Sequence, residues 1–241
     1  MSDGLTQALK GKYYKSRIIV YTAIFGGYDT IHEPTIKLPN VEYIMFTDQN
    51  IKSDIWNVRK VNAIYKDPTR NARKYKLLPH RWFPDYEYSI WVDGNIIVRD
   101  NVNEIIDRYL KKTDVAVFDH NQNKLDPRNC VYEEAKVILY LGQLNRNYKD
   151  DPALIIKQME KYEADRYPAN NGLVVSMIVA RRHNVCKKAM EKWWEELKYN
   201  TKRDQLSFNY SMWKTDTNVT YIPGDSRDNK WFYHTGAHNK K

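Results

Sequence analysis

Continuous apolar runs alternate with amphipathic stretches along this chain. Arg17 to Phe25 is apolar and β-branched nearly throughout and is closed by Gly26-Gly27. Such a run reads as a strand buried on both faces and followed by a tight loop. Val41 to Asp48 repeats the pattern and ends on an acidic residue, and Trp56 to Val61 predicts a further short strand. Asp114 to Phe118, Leu173 to Ala180 and Val219 to Pro223 predict later strands. Helical spacing and caps predict helices over Arg70 to Phe83, Val102 to Leu110 after Asp100-Asn101, Tyr132 to Leu144, Asp151-Pro152 to Ala164, His183 to Tyr199 and Arg203 to Trp213. Strands alternating with helices, with no repeat, linker or low-complexity segment, predict one α/β domain.

The run from Tyr88 to Val98 is interrupted at its centre by Asp93-Gly94-Asn95. Two readings stand side by side. Asp-Gly between apolar runs is a strong hairpin signal, because Gly94 readily takes positive φ. Alternatively the strand ends at Val92 and presents Asp93 and Asn95 at its C-terminal edge, where open α/β sheets place their ligands. The segment just upstream favours the second reading. Arg70, Arg73, Lys74 and Leu77 fall at i, i+3, i+4, i+7, and Arg73, Lys76 and His80 at i, i+3, i+7, so one helix can turn several cations the same way. Cations beside Asp93 and Asn95 suit a diphosphate bridged to a metal. Lys74 and Arg81 read more simply as a solvated face.

Composition narrows the function classes. At 241 residues the chain can bury a real core, and its 42% hydrophobic content is that of a folded protein. No apolar run reaches membrane-spanning length and residues 1–15 carry no signal-peptide core, which predicts a soluble, cytoplasmic protein. Cys130 and Cys186, far apart and without metal-type spacing, fit a reducing compartment. Thirty-nine basic against 30 acidic residues give a net charge of +9, which raises polyanionic partners. The chain carries no nucleic-acid-binding module, so the excess charge suits a small phosphorylated ligand at least as well as DNA or RNA. There is also no Gly-x-Gly-x-x-Gly fingerprint and no Walker lysine. Several polar residues keep two readings. Asp48 suits a base or ribose contact or a turn cap; Glu134 suits a helix dipole; Asp204 is a helix cap or a cleft residue at a helix N-terminus. The tail places His234 and His238 four apart beside aromatics.

Taken in order, Tyr21 to Asp29, Phe46-Thr47-Asp48, Arg70-x-x-Arg73-x-x-Lys76 with Leu77, Pro79 and His80, Ile90 to Asn95, Tyr132 to Ala135, Asn171-Gly172 and Arg203 to Phe208 form an ordered set covering most of the chain. The set resembles glycosyltransferases of the GT-A fold, and within them the formerly uncharacterised glycosyltransferase-like family that includes the plant mucilage-related proteins. The resemblance implies a single GT-A, Rossmann-like α/β domain with a central, mostly parallel mixed sheet flanked by helices. Residues 1–15 would form an N-terminal extension, and residues 224–241 a tail closing the site. It implies a nucleotide-sugar donor, most often a UDP-sugar, bound with Mn²⁺ or Mg²⁺ at an Asp-x-Asp-type motif, and a glycan or other hydroxyl acceptor, with neither nucleic acid nor direct membrane insertion. Thr22, Ala23, Ile24, Tyr28, Asp48, Arg70, Arg73, Lys76, Asp93, Gly94, Asn95 and Asn171 would hold the donor. Asp93, Asn95 and His238, with His234 a lesser alternative, would hold the metal. Asp204 would face the transferred sugar, with His120 and Glu134 on the donor-sugar side. Asn95 departs from the family pattern, which has a second acid there. The resemblance leans towards retention of configuration and leaves the sugar, the linkage and the oligomeric state open.

Overall fold

The computed structural model describes residues 18–148 and 150–236. The expected extension over residues 1–15, and His238, lie outside the described residues. A seven-stranded sheet organises the chain, in the order β3-β2-β1-β4-β7-β6-β8. Its strands are β1 (Ile18–Ile24), β2 (Val41–Thr47), β3 (Asn57–Lys60), β4 (Tyr88–Val92), β6 (Val115–Asp119), β7 (Val174–Arg182) and β8 (Val219–Ile222). Strands β3, β2, β1 and β4 run parallel, β7 runs antiparallel between β4 and β6, and β8 is parallel to β6. This is the mostly parallel, mixed sheet that the resemblance implies.

Burial on both faces explains the unbroken apolar runs. Along β1, Ile18, Val20 and Ile24 enter one core, while Ile19, Tyr21 and Ala23 enter the other. The first core is closed by α3 (Asn103–Tyr109) through Ile105 and Ile106. The second is closed by α1 (Pro68–Leu77), α6 (Lys187–Tyr199) and α7 (Asp204–Lys214), through Tyr75, Leu77, Met190, Trp193, Leu197, Phe208 and Met212. A satellite core joins α4 (Val131–Leu144) and α5 (Pro152–Ala164) to Leu206 and Tyr210 of α7.

The expected basic helix is two helices. Pro79 cannot continue α1, and a second short helix, α2 (Pro79–Trp82), restarts from it. Helix α1 starts earlier than the charge spacing predicts, because Asp67 accepts from the Thr69 backbone N–H at 2.8 Å and Pro68 takes the first turn. The hairpin reading of Asp93-Gly94 is overturned. The segment after it, β5 (Ile96–Val98), pairs not with β4 but with β9 (Phe232–His234), antiparallel, in a separate ribbon.

The loop before β7 depends on Gly172, whose φ is +84° and where an added Cβ would lie 2.4 Å from the Tyr221 hydroxyl and 2.9 Å from Asn209 Nδ2. Gly172→Ala is expected to destabilise the fold by about 2 kcal/mol, from backbone strain and overpacking together. A thermal melt checks this: an unchanged midpoint would contradict the close approach.

Candidate active site

The C-terminal edge of the parallel strands gathers the polar residues that interrupt the apolar pattern. Gly26 follows β1, Asp48 follows β2 and Asp93 follows β4. Asp48 accepts from the Gly26 backbone N–H at 3.0 and 3.2 Å, so it fixes the loop after β1, in keeping with its turn-cap reading. Asp93 leaves the sheet in a tight turn: its N–H donates to the Met177 carbonyl at 2.9 Å, and the Ile96 N–H donates back to the Asp93 carbonyl at 3.0 Å. Gly94 does not use positive φ here. It is needed for space, since a Cβ would come within 2.9 Å of the Ile24 side chain and 3.1 Å of Asp29 Oδ2.

Beside this turn, Arg73 and Lys76, one helical turn apart on α1, meet Asp93 and Asp204 in a four-charge cluster. Arg73 Nη1 lies 3.1 Å and Lys76 Nζ 3.4 Å from Asp93 Oδ1. Arg73 Nε lies 3.3 Å from Asp204 Oδ2, an ion pair without hydrogen-bond alignment, and Lys76 Nζ closes a tight ion pair with the same oxygen. Trp91 donates its indole N–H to Asp93 Oδ1 at 2.6 Å, and the Ser176 hydroxyl donates to Asp204 Oδ2 at 3.1 Å. Ser176 reaches the site because β7 bulges: Val117 faces Val179 but Phe118 faces Val175, so residues 176–178 have no opposite number on β6. Lys76 is fully buried. Its main chain is fixed too, since its carbonyl accepts from the Tyr21 hydroxyl at 2.8 Å and from Arg181 Nη1 at 2.7 Å.

Burial, opposing charges and hydrogen bonds set the protonation of this cluster. For Asp204 burial pushes the carboxyl upward, but Arg73, Lys76 and the Ser176 hydrogen bond outweigh it and hold the carboxyl below its ordinary value. For Lys76, burial and the neighbouring Arg73 outweigh the two carboxylates and lower its value. For Arg73 burial acts downward, and the two carboxylates reverse it, raising the value. His120 is held below the ordinary histidine range chiefly by burial, with Glu134 acting the other way.

A cleft of about 470 Å³ opens beside the cluster, lined by Arg73, Asp93, Asp204, Ser176 and His234, by Tyr28 and Thr69, and by His120, Asn123, Lys202, Arg203, Gln205 and Arg227. A pocket of about 80 Å³ adjoins it at Ala23, Ile24, Phe25, Tyr28, Asp29, Ala72, Trp91 and Gly94. Of the residues singled out in the sequence, Ala23, Ile24, Tyr28, Arg73, Asp93, Gly94, Asp204 and His120 therefore come together, with Lys76 directly behind them. Thr22 is buried next to them, its hydroxyl without a partner.

Others go elsewhere. Arg70 is turned away: its guanidinium donates to the carbonyls of Leu197, Lys198 and Asn200 at the end of α6, with Nη2 2.9 Å from the Asn200 oxygen. Those carbonyls have no helical partner, and a cation at a helix C-terminus is favoured by both hydrogen bonding and the dipole. Glu134 is buried against Arg128, Nε to Oε2 2.7 Å. Asn171 is exposed in its loop, and its carbonyl accepts from Asn209 Nδ2 at 3.5 Å.

Asn95 is buried. Its Nδ2 donates to His234 Nε2 at 3.0 Å and to the Gly236 carbonyl at 3.1 Å, while its Oδ1 has no partner. The chain over residues 234–236 thus docks against it, and the Thr235 N–H also donates to the Asn95 carbonyl at 3.0 Å. Among the described residues no three His, Cys, Asp or Glu side chains form a metal cluster. Oxygen donors at this turn include Asp93, whose three hydrogen-bond contacts all fall on Oδ1, the Asp29 carboxylate of the adjoining pocket, and the orphaned Asn95 Oδ1. That set fits a hard cation whose remaining ligands come from phosphate and water. Trp91, Thr69, Ser176, Lys202, Arg203, Gln205 and Arg227 have no site role assigned by the sequence pattern. A serine inside an otherwise apolar strand was the available signal for Ser176; Arg227, in a polar tail, gave none.

A family model described as TOD1/MUCI70, glycosyltransferase-like domain, matches residues 4–223. The chain belongs to that family. It is 26% identical over 214 residues to the Arabidopsis thaliana protein named "Probable hexosyltransferase MUCI70", covering 79% of this chain and 36% of the relative. It is also 32% identical over 107 residues to "Alkaline ceramidase TOD1" of Arabidopsis thaliana, covering 34% of this chain and 23% of that protein. The chain thus spans little more than a third of the length of the one and less of the other. Among solved structures, the WbbM bifunctional glycosyltransferase in its apo form superposes over 88% of this chain and 39% of its own, with a TM-score of 0.48 and 12% identity. No helix among the described residues is long and apolar enough to cross a membrane.

Because Asp204 has a lower pKa folded than unfolded, the folded state binds fewer protons there. Its stabilisation is therefore present above the ordinary carboxylate value of about 4 and is lost as pH falls through the folded-state value. Urea unfolding of wild type and Asp204→Asn from pH 7 to pH 2 checks this, and the variant is expected to lose less stability across the acid range. Equal acid sensitivity would contradict the charge assignment.

Proposed function

We propose that this chain is a glycosyltransferase that moves a sugar from a nucleotide-sugar donor, a UDP-sugar, to a hydroxyl of a glycan or other acceptor, with a divalent cation and with retention of configuration. The observation that carries the reading is the largely buried cluster of Arg73, Lys76, Asp93 and Asp204 at the C-terminal sheet edge, opening on a cleft of about 470 Å³. Membership of a glycosyltransferase-like family and the hexosyltransferase name of one relative support it.

Asp93 and Asn95, with His238 as a further candidate, are the residues that would hold Mn²⁺ or Mg²⁺. The cation would polarise the diphosphate and stabilise charge developing on it as the glycosidic bond breaks. Arg73 and Lys76 add fixed positive charge to the same place. One unit charge at 4 Å is worth about 4 kcal/mol at an effective dielectric near 20, and cations already held by packing need little reorganisation. The pocket at Ala23, Ile24 and Tyr28 suits the nucleoside end. Asp204 is a poor general base: it is held ionised, with Oδ2 occupied by Lys76 and Ser176. Its charge suits instead the positive character that develops on the transferred sugar, which leaves a diphosphate oxygen to accept the acceptor proton. This supports retention over inversion.

UDP with Mn²⁺ is expected to raise the melting temperature of the wild-type protein, and Asp93→Ala to abolish the shift. Asp204→Asn is expected to keep nucleotide binding and lose about 10²-fold or more in turnover. A wild-type melting curve indifferent to every nucleotide and metal, together with salt-steep binding to DNA or RNA without a divalent requirement, would replace this reading with a polyanion binder.

A further inference from the structure

The cleft holds more positive charge than a diphosphate site uses. Arg73 is matched by Asp93 and Asp204, and Lys202 by Asp67 at 2.8 Å. Arg203 and Arg227 also line the cleft, and neither guanidinium has a carboxylate within ion-pair distance among the described residues. Both are partly buried, and Arg203 Nε and Arg227 Nη1 are shielded from water without a hydrogen-bond partner. Leaving buried donors unmet is costly, so such atoms call for a partner from outside the chain, water or a bound group. Arg227 is held by its backbone. Its N–H donates to Asp225 Oδ1 at 2.9 Å, and its carbonyl accepts from the His234 N–H at 2.8 Å, so the guanidinium alone is left for the cleft. Arg203 precedes α7 with no side-chain cap bond. Between them, His120 and Asn123, both more than nine-tenths buried, line the same space with Nδ1 and Oδ1 unpartnered. Burial is the main cause that holds His120 below the ordinary histidine range, and Arg227 adds only a small push in the same direction.

We propose that Arg203 and Arg227, with His120 and Asn123, form a subsite for the acid group of an acidic sugar, so that the donor or the acceptor is a hexuronic acid rather than a neutral hexose. A guanidinium presents a planar fork matched to a carboxylate, and His120 and Asn123 add neutral polar contacts for ring hydroxyls. The inference rests on the glycosyltransferase reading and narrows its substrate class.

The test uses calorimetry with Mn²⁺ on the wild-type protein and on an Arg203→Gln/Arg227→Gln double variant whose fold is checked by circular dichroism. The donor arm compares UDP, UDP-glucose and UDP-glucuronic acid. The acceptor arm compares a hexuronic-acid tetrasaccharide with maltotetraose, with and without UDP, so that it reports even if UDP fails to bind. The acidic ligand of one arm is expected to bind wild type at least about tenfold more tightly than its neutral counterpart, the loss of a charge-assisted pair being worth that much. The double variant is expected to lose the preference while its Kd for UDP stays within about twofold. The arm that responds identifies whether donor or acceptor carries the acid. Equal affinity for acidic and neutral sugars in both arms overturns the proposal. So does an equal loss of UDP affinity in the variant, which would assign these arginines to the diphosphate. A wild type that binds no UDP yet prefers the acidic tetrasaccharide would overturn the nucleotide reading while leaving this subsite standing.

Discussion

A fully buried lysine needs negative charge close by, and much of the site follows from that requirement. The ammonium of Lys76 leaves water at the junction of β4, β7 and α1, where an isolated charge would cost several kcal/mol. Asp93 and Asp204 answer it, one from the end of β4 and the other from the start of α7. Arg73 brings the cluster to neutrality. Removing one member alone would strand a charge, so a strand end, a helix N-terminus and a mid-helix face are tied to one geometry. Arg181 and Tyr21 secure the same junction from beneath by holding the Lys76 carbonyl.

That balance shapes the chemistry. Cations neutralised by carboxylates are stable in the resting protein, yet they remain in place when an anionic ligand arrives. On the function proposed above, a sugar-nucleotide diphosphate and a divalent cation entering together would exchange partners with the cluster without changing its net charge. A carboxylate already covered by a lysine and a serine is also better suited to stabilising positive charge than to removing a proton.

Much of this was legible in the sequence because burial on two faces erases polar residues, so those that survive at strand ends stand out. Asp93 and Asp48 are of that kind, and Arg73 and Lys76 declared themselves by i, i+3 spacing. The strand and helix order followed from runs such as Ile18–Ile24 and from caps such as Asp151-Pro152. Spacing cannot tell which way a side chain finally turns. Arg70 shares the helical register of Arg73 but is captured by the end of α6, a contact made by residues about 130 positions away. Partnering across long separations likewise hid the union of β5 with β9, which local turn chemistry made to look like a hairpin. The bulge that aims Ser176 at Asp204 depends on the register between β6 and β7, and no short segment encodes that.

The most direct test of glycosyl transfer is nucleotide release by the purified protein across a panel of nucleotide sugars with Mn²⁺ or Mg²⁺, run beside folded Asp204→Asn. Metal-dependent release of UDP from at least one donor, stimulated by an acceptor and reduced by about 10²-fold in the variant, is the predicted result. No nucleotide release from any donor with either metal would contradict the account.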